Sequence, residues 1–304
     1  MKATQIMEYH RPVLLVETVD GLNIQPNGTY VDVTFGGGGH SREILQRLGE
    51  DGRLIAFDQD EDALQNTIDD PRFLLINENF RYLKRFLRSH SIKEVDGILG
   101  DFGVSSHQFN EAERGFSTRF VADLDMRMNQ NATFSAFDVI NKYPEEKIKN
   151  VLFQYGELRA SAGMARLIVE VRQQSPIISS EELKKALGRF LPTHRENKVL
   201  AQIYQAIRIE VNQELEALKE FLIQTEEVLK ARGRLSLLSY HSLEDRLVKR
   251  FIRNGLFEGE PEKDVFGKVV VPFKRIGKFE IPTKEEIKQN NRARSAKLRV
   301  AEKL

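Results

Sequence analysis

The sequence predicts an α/β protein with a Rossmann-like parallel sheet that is interrupted by an all-helical domain. Short apolar runs alternate with amphipathic segments in roughly the first 110 residues, which is typical of βαβ units. Helical spacing with few strand signals follows from about residue 134 to residue 233. Another apolar run followed by a helical segment then restores the first pattern near Arg234.

Four strands are predicted in the alternating region, at residues 29–35, 53–58, 72–77 and 95–101. Three helices are predicted between them, at residues 39–48, 61–68 and 80–89. Ligands of parallel sheets bind beyond the carboxyl ends of the strands. Loops 35–40, 77–80 and 101–108, together with Asp58, fall at that edge, so the sequence predicts a ligand site there.

The predicted domain plan has a first sheet part at residues 1–110, a helical insertion at 111–232 and a second sheet part at 233–304. Pro144 near a first turn and a capping box from Ser179 to Glu182 mark helix starts in the insertion. The insertion is expected to recognise the substrate, although a purely structural cap is also compatible with its sequence. After residue 233 we expect a strand at 234–240, a helix at 242–254 and a hairpin from 268–271 and 278–281.

Composition excludes several classes of chemistry. The 304 residues include no cysteine, which excludes disulfides, cysteine-ligated zinc and a cysteine nucleophile. The histidines lack metal-ligand spacing, and no metal is predicted. Neither a signal peptide nor an 18-residue apolar run is visible, so a soluble cytoplasmic protein without membrane contact is expected.

The net charge of +1 is unevenly distributed. Residues 284–304 contain seven Lys or Arg and three Glu, a balance of +4 in a short C-terminal tail. Phosphate neutralisation by nucleic acid and a solvated helical surface both remain open for this tail.

Four consecutive glycines, 36 to 39, lie between the first predicted strand and helix, and Asp58 ends the next strand. Glycine lets a backbone approach a ligand closely, and an acid at the second strand end can accept hydrogen bonds from ribose hydroxyls. The strict dinucleotide fingerprint is not met. Its last position, where a small residue packs the helix on the strand, holds Ser41, and bulky His40 precedes it. No phosphate-binding Gly-Lys-Ser/Thr follows either, which favours a nucleoside cofactor without pyrophosphate, namely S-adenosylmethionine.

Two further loops contain candidate chemical groups. Asp101 ends the fourth strand and is followed by Phe102. The carboxylate suits holding the N–H of an exocyclic amine while Phe102 stacks on the base, but capping of the turn or contact with the cofactor's amine remains open. His241 follows the restored strand, where it is suited to substrate contact or proton transfer and equally to a structural hydrogen bond. No Gly-x-Ser-x-Gly elbow supports a hydrolase.

Several motifs together resemble the RsmH (MraW) family over nearly the whole chain. They are His10-Arg-Pro-Val-Leu-Leu15, Thr34-Phe-Gly-Gly-Gly-Gly-His-Ser41, Asp101-Phe-Gly-Val-Ser-Ser106, Arg114-Gly-Phe-Ser117, Leu124-Asp-Met-Arg-Met128, Tyr204-Gln-Ala-Ile-Arg-Ile-Glu-Val-Asn-Gln-Glu-Leu215, Tyr240-His-Ser-Leu-Glu-Asp-Arg246 and Arg294-Ser-Ala-Lys-Leu-Arg299. The resemblance implies a class I S-adenosylmethionine-dependent methyltransferase with an inserted helical domain. Its implied reaction is methylation of the exocyclic amino nitrogen of a cytidine in the decoding region of small-subunit (16S) rRNA.

The resemblance also assigns residues. The implied cofactor contacts are Gly38, Gly39, His40, Asp58, Phe80, Asp101 and Gln108, and the predicted catalytic residues are Asp101 and His241. Two departures stand out: Tyr240 occupies a position where the family often has Phe, and residues 196–202 differ from the family's Pro-Ala-Thr-Arg run.

The implied partner is small-subunit rRNA, either free or within a ribosomal particle. The sequence leaves the oligomeric state open, a homodimer included. Methylation of another amino group, on DNA, another RNA or a protein, is the enzymatic alternative. A non-catalytic cofactor-sensing module that binds RNA is the non-enzymatic one.

Overall fold

The computed structural model describes residues 12–304 except 262, 264 and 268. His10 and Arg11 of the N-terminal motif therefore lie outside the described residues. The chain forms two compact units. The sheet unit contains the residues up to Gly103 together with Glu216–Leu304, and the helical unit is Val104–Leu215.

The sheet unit is built on seven strands in the order β3-β2-β1-β4-β5-β7-β6. They are β1 Thr29–Asp32, β2 Arg53–Phe57, β3 Phe73–Ile76, β4 Val95–Asp101, β5 Leu229–Ser239, β6 Phe273–Glu280 and β7 Lys297–Lys303. Strands β1 to β5 are parallel to one another, whereas β7 is antiparallel to both β5 and β6. This mostly parallel sheet confirms the predicted α/β, Rossmann-like fold class.

The described residues contain twelve α-helices. They are α1 Leu15–Asp20, α2 Gly39–Arg47, α3 Leu83–Ser89, α4 Ser106–Asn110, α5 Ala136–Lys142, α6 Glu145–Gln154, α7 Ser161–Arg172, α8 Ser180–Ala186, α9 Glu196–Asn212, α10 Glu214–Val228, α11 Ser242–Asn254 and α12 Lys284–Gln289. The predicted capping box at Ser179 and Glu182 is present at the start of α8. None of these helices is long and apolar enough to cross a membrane.

Each unit has its own hydrophobic core. The helical unit buries a cluster that includes Met126, Ile140, Ile168 and Ile203. The strands β1, β2 and β4 of the sheet unit are buried along most of their length, as expected for the inner strands of a parallel sheet.

The observed bounds of the units differ from the predicted domains at residues 104 and 215. The helix α10 continues the apolar repeat of α9, so the sequence suggests that both helices belong to the insertion. A positive φ of 50° at Gln213 separates them, and Leu218, Phe221 and Leu222 of α10 are buried in the core of the sheet. The contacts of α10 therefore place it in the sheet unit.

Three local predictions differ from the structure. The predicted helix at 61–68 is a 3₁₀-helix, Glu61–Asn66. The predicted hairpin of 268–271 with 278–281 is wrong, because the strand β6 pairs with β7; Lys268 lies outside the described residues. The basic C-terminal segment is folded into α12, a 3₁₀-helix at Asn291–Ser295 and β7, so it is part of the sheet unit and not a loose tail.

Candidate active site

The glycine loop joins β1 to α2 at the carboxyl edge of the sheet. Gly36 and Gly38 have positive φ angles of 51° and 74°, a backbone conformation that residues other than glycine rarely adopt. A Cβ at Gly38 would lie 2.7 Å from the Arg42 Nη1 atom, and one at Gly39 would overlap the Pro12 ring. The loop therefore depends on glycine at both positions, because other atoms of the protein occupy the space that each Cβ would fill.

Asp58 lies at the end of β2 and holds the glycine loop. Its Oδ2 accepts the Gly36 N–H at 2.7 Å and its Oδ1 accepts the Asp60 N–H at 2.9 Å. Burial raises the pKa of Asp58 to about 6, although these two hydrogen bonds oppose the shift. Each carboxylate oxygen retains a second lone pair, so Asp58 can still accept hydrogen bonds from a pair of ligand hydroxyls.

Asp32 is a fully buried carboxylate at the end of β1. It accepts the Ser41 hydroxyl at 2.7 Å and the Thr34 N–H at 3.1 Å. Burial raises its pKa to about 6. Asp32 therefore fixes Thr34 before the four glycines and Ser41 after them, and its carboxylate adds negative charge next to the loop.

Asp101 ends β4, where two hydrogen bonds hold it and His40 lies near its carboxylate. Its backbone N–H donates to Thr34 Oγ1 at 2.6 Å, and its Oδ1 accepts the Tyr240 hydroxyl at 2.7 Å. Its Oδ2 lies 3.8 Å from Nδ1 of His40. Burial and the negative charges of Asp32 and Glu244 raise the pKa of Asp101 to about 7, although the Tyr240 hydrogen bond opposes the shift.

His40 is buried in the first turn of α2. Burial lowers its pKa to about 4, against a hydrogen bond with the Val13 backbone. The ring is therefore neutral at physiological pH and carries a single N–H donor. A neutral His40 leaves the charge of this edge to the carboxylates.

Phe102 does not have the base-stacking role considered for it. The Phe102 side chain is only 4% exposed. It packs between Phe80 and Phe221, with ring centroids at 5.8 and 6.0 Å. Phe102 is therefore a core residue, whereas Phe80 is only partly buried.

His241 is the N-cap of α11 and makes a capping box with Glu244. Its Nδ1 accepts the Glu244 N–H at 3.4 Å, and its Nε2 lies 3.0 Å from Glu244 Oε1. The Glu244 carboxylate also accepts the Tyr240 N–H at 2.8 Å. Both ring nitrogens of His241 thus face its own helix, a geometry that supports the structural alternative; its catalytic role stays a prediction.

Gln108 belongs to the helical unit, in the first turn of α4. Its side chain accepts the Ser105 N–H at 3.1 Å, and its own N–H donates to Ser105 Oγ at 3.1 Å. This reciprocal pair is a capping box. Gln108 therefore has a defined structural function, and its cofactor contact stays a prediction.

Comparison with known proteins defines the family. Residues 7–304 match the MraW methylase family. The chain belongs to this family. It is 69% identical over 299 residues to the ribosomal RNA small subunit methyltransferase H of Christiangramia forsetii, covering 98% of this chain and 99% of that protein. It is 65% identical over 301 residues to the protein of the same name from Flavobacterium johnsoniae, covering 99% and 100%.

Solved structures are more distant. An rRNA methylase from Streptococcus thermophilus is 12% identical, with a TM-score of 0.41 over 95% of this chain and 93% of that one. The fold is assigned from the strand order described above and not from this likeness.

Two residues of this MraW-family site were missed by sequence reasoning. Asp32 resembles an ordinary strand residue, and only its flanking valines signal that the carboxylate is buried. Tyr240 was noted as a departure from the family, but its hydroxyl contact with Asp101 spans 139 residues and leaves no local signal. Apart from His241, six predicted site residues belong to the sheet unit and lie around the ends of the parallel strands. They are Gly38, Gly39, His40, Asp58, Phe80 and Asp101.

Proposed function

We propose that this protein transfers a methyl group from S-adenosylmethionine to the exocyclic amino nitrogen of a cytidine in small-subunit rRNA. Membership of the MraW methylase family and the names of its relatives support this assignment. The observation that carries it is the pairing of a glycine loop held by Asp58 with a second carboxylate, Asp101, at the same edge of the sheet.

The residues present fit this cofactor. Asp58 offers lone pairs to the two ribose hydroxyls, and the glycine loop that it holds lies at the same edge of the sheet. Phe80 provides a partly exposed aromatic surface, and Asp101 provides a negative charge for the cofactor's ammonium or sulfonium. The contacts of His40 and Gln108 with the cofactor complete this proposal.

When bound, S-adenosylmethionine supplies a methyl group on a cationic sulfur. The lone pair of a cytidine amine is delocalised into the ring, so the nitrogen is a weak nucleophile. In our proposal, Asp101 accepts an N–H of that amine, which favours a pyramidal nitrogen, and takes up the proton released after transfer. Positioning of the amine provides most of the rate enhancement.

The missing cysteine favours nitrogen over carbon as the target. Methylation of a pyrimidine ring carbon usually begins with attack by a cysteine thiolate, and the chain has no cysteine. An amino nitrogen needs no covalent intermediate on the protein.

The substrate is proposed to be rRNA in the decoding region, recognised in part by the helical unit. The cytoplasm, where rRNA is assembled into subunits, is the proposed compartment. Methylation assays with free RNA and with assembled small subunits, each offered separately, distinguish these two substrates. Light scattering measures the oligomeric state.

The decisive experiment incubates purified protein and labelled cofactor with small subunits that lack the modification. We expect the label on a single cytidine, and mass mapping should place it on the amino nitrogen. Label on a ring carbon, on DNA or protein alone, or none at all would contradict the proposal. An Asp101→Ala variant that binds RNA without methylating it would argue against a purely cofactor-sensing module.

A further inference from the structure

Tyr240 makes a hydrogen bond that the proposed reaction does not yet use. Its hydroxyl donates to Oδ1 of Asp101 at 2.7 Å. The other carboxylate oxygen, Oδ2, lies 3.8 Å from Nδ1 of His40, which is beyond hydrogen-bonding distance. The two oxygens of Asp101 are therefore unequal: one is held, and the other can accept.

Both partners of this hydrogen bond are fixed. The Tyr240 N–H donates to Glu244 Oε2 at 2.8 Å, and the Tyr240 ring packs on a buried cluster that contains Val13, Leu14 and Leu238. The Asp101 backbone is fixed by its hydrogen bond to Thr34. The hydroxyl therefore holds the rotation of the carboxylate and not only its charge.

The electrostatics agree with this geometry. Burial and the neighbouring charges of Asp32 and Glu244 disfavour the ionised form of Asp101, and the Tyr240 hydrogen bond is the favourable contribution against them. Burial and the Asp101 charge raise the pKa of Tyr240 well above its usual value. The phenol consequently stays protonated, and remains a donor, throughout the pH range of an assay.

We propose that Tyr240 is a positioning residue for methyl transfer: its hydroxyl holds Oδ1 of Asp101 and so presents Oδ2 as the oxygen that accepts the substrate amine. The inference rests on the proposed function and deepens it. It explains why a tyrosine follows β5 although a phenylalanine would fill the same apolar space.

The test is Tyr240→Phe in the full chain, assayed on unmodified small subunits from pH 5.5 to pH 9. We expect kcat at pH 7 to fall about tenfold, the range of one charge-assisted hydrogen bond, while KM for the RNA changes less than about twofold. The acid limb of the kcat profile should move to higher pH, because Asp101 loses the hydrogen bond that favours its ionised form. A wild-type kcat with an unmoved acid limb would overturn the inference.

Tyr143→Phe is the matched control. The Tyr143 hydroxyl donates to Glu210 Oε1 at 2.7 Å within the helical unit, so the same oxygen is removed from the same kind of bond. We expect Tyr143→Phe to lower the melting temperature about as much as Tyr240→Phe does. The acid limb of its kcat profile should not move. If both variants lower kcat equally and neither moves the limb, Tyr240 is only structural and the inference fails.

A double-mutant cycle with Asp101→Asn separates action through Asp101 from independent action. If Tyr240 works through the carboxylate, adding Tyr240→Phe to the D101N protein should change kcat less than about twofold. A full tenfold further loss would overturn the inference. A wild-type protein that methylates no RNA would instead refute the proposed function, so the two failures are distinguishable.

Discussion

Three carboxylates at the strand ends, one buried and two half-buried, dominate the site at the scale of single residues. Burial raises the pKa of Asp32 and Asp58 to about 6 and that of Asp101 to about 7. In the absence of a cationic ligand, ionisation of these groups opposes folding. The arrangement therefore favours a positively charged ligand at the cost of stability, as is common at functional sites.

Asp101→Asn should stabilise the ligand-free protein at high pH. A carboxyl whose pKa is raised by folding contributes stability below its unfolded pKa and loses that contribution as the pH rises through about 7. We expect the free energy of unfolding at pH 8 to increase by roughly 1–3 kcal/mol in the variant, with little change at pH 4. Urea denaturation at both pH values measures this difference, and an equal effect at both would contradict the raised pKa.

Asp58→Ala should weaken cofactor binding. Loss of a charged acceptor costs on the order of 1.5–3 kcal/mol of binding free energy, and binding to the wild type should weaken as the pH falls below about 6, where Asp58 takes up a proton. Isothermal titration with the cofactor product measures both effects. Asp51→Ala, in the exposed turn before β2, serves as the control; identical affinities for the two variants would remove Asp58 from the site.

The helix α10 shows most clearly what the sequence predicts at the scale of elements and what it does not. The parallel strands and their helices were predictable because each is a local pattern of apolar spacing. The placement of α10 was not, because its spacing fits either core and tertiary contacts, such as those of Phe221 with Phe80 and Phe102, decide it. The pairing of β6 with β7 was not predicted either. The strand β7 also pairs with β5, which lies far from it in the sequence, and a local pattern does not reveal such a contact.

The candidate site follows the same division. Asp58 and Asp101 were predictable because a carboxylate at the end of a parallel strand has a known place in the fold. The role of Asp32 and the bond from Tyr240 to Asp101 were not, since both depend on burial and on contacts made by distant segments.

Phe221→Ala should test the assignment of α10 to the sheet unit. Phe221 is fully buried, and removing such a ring costs about 3–5 kcal/mol. We expect the unfolding transition of the sheet to shift to a lower denaturant concentration. The near-ultraviolet circular dichroism of the tyrosines measures this transition. Phe153→Ala, which removes a ring that is 59% exposed on α6, should change stability by less than about 0.5 kcal/mol. Equal losses would argue against the assignment.

The charge of the whole molecule is nearly balanced, but its exposed cations are not evenly placed. Lys288 and Arg294 are exposed in the segment that leads into β7, whose first residue pairs with Ser239 at the carboxyl end of β5. Lys297, Arg299 and Lys303 have structural partners; Arg299, for example, donates to Asp245 at 2.7 Å. Only part of the +4 balance of this segment is thus available to phosphates.

Neutralising this pair should reduce the salt dependence of RNA binding. Lys288→Gln with Arg294→Gln should lower the slope of log K against log salt by roughly 1–2, since each phosphate contact contributes slightly less than one. Fluorescence anisotropy from 50 to 300 mM salt measures the slope. Arg53→Gln with Lys93→Gln removes two exposed charges near the amino ends of β2 and β4 and should leave it unchanged; equal slopes for both pairs would return the segment to a structural role.

The position of β7 between β5 and β6 has a consequence for biosynthesis. While the nascent protein emerges from the ribosome, β5 is complete by residue 239, but its open edge has no partner until residues 297–303 have left the exit tunnel. An incomplete polypeptide exposes that apolar edge to other chains. Premature termination before residue 297 should therefore yield aggregates and not a partly active enzyme.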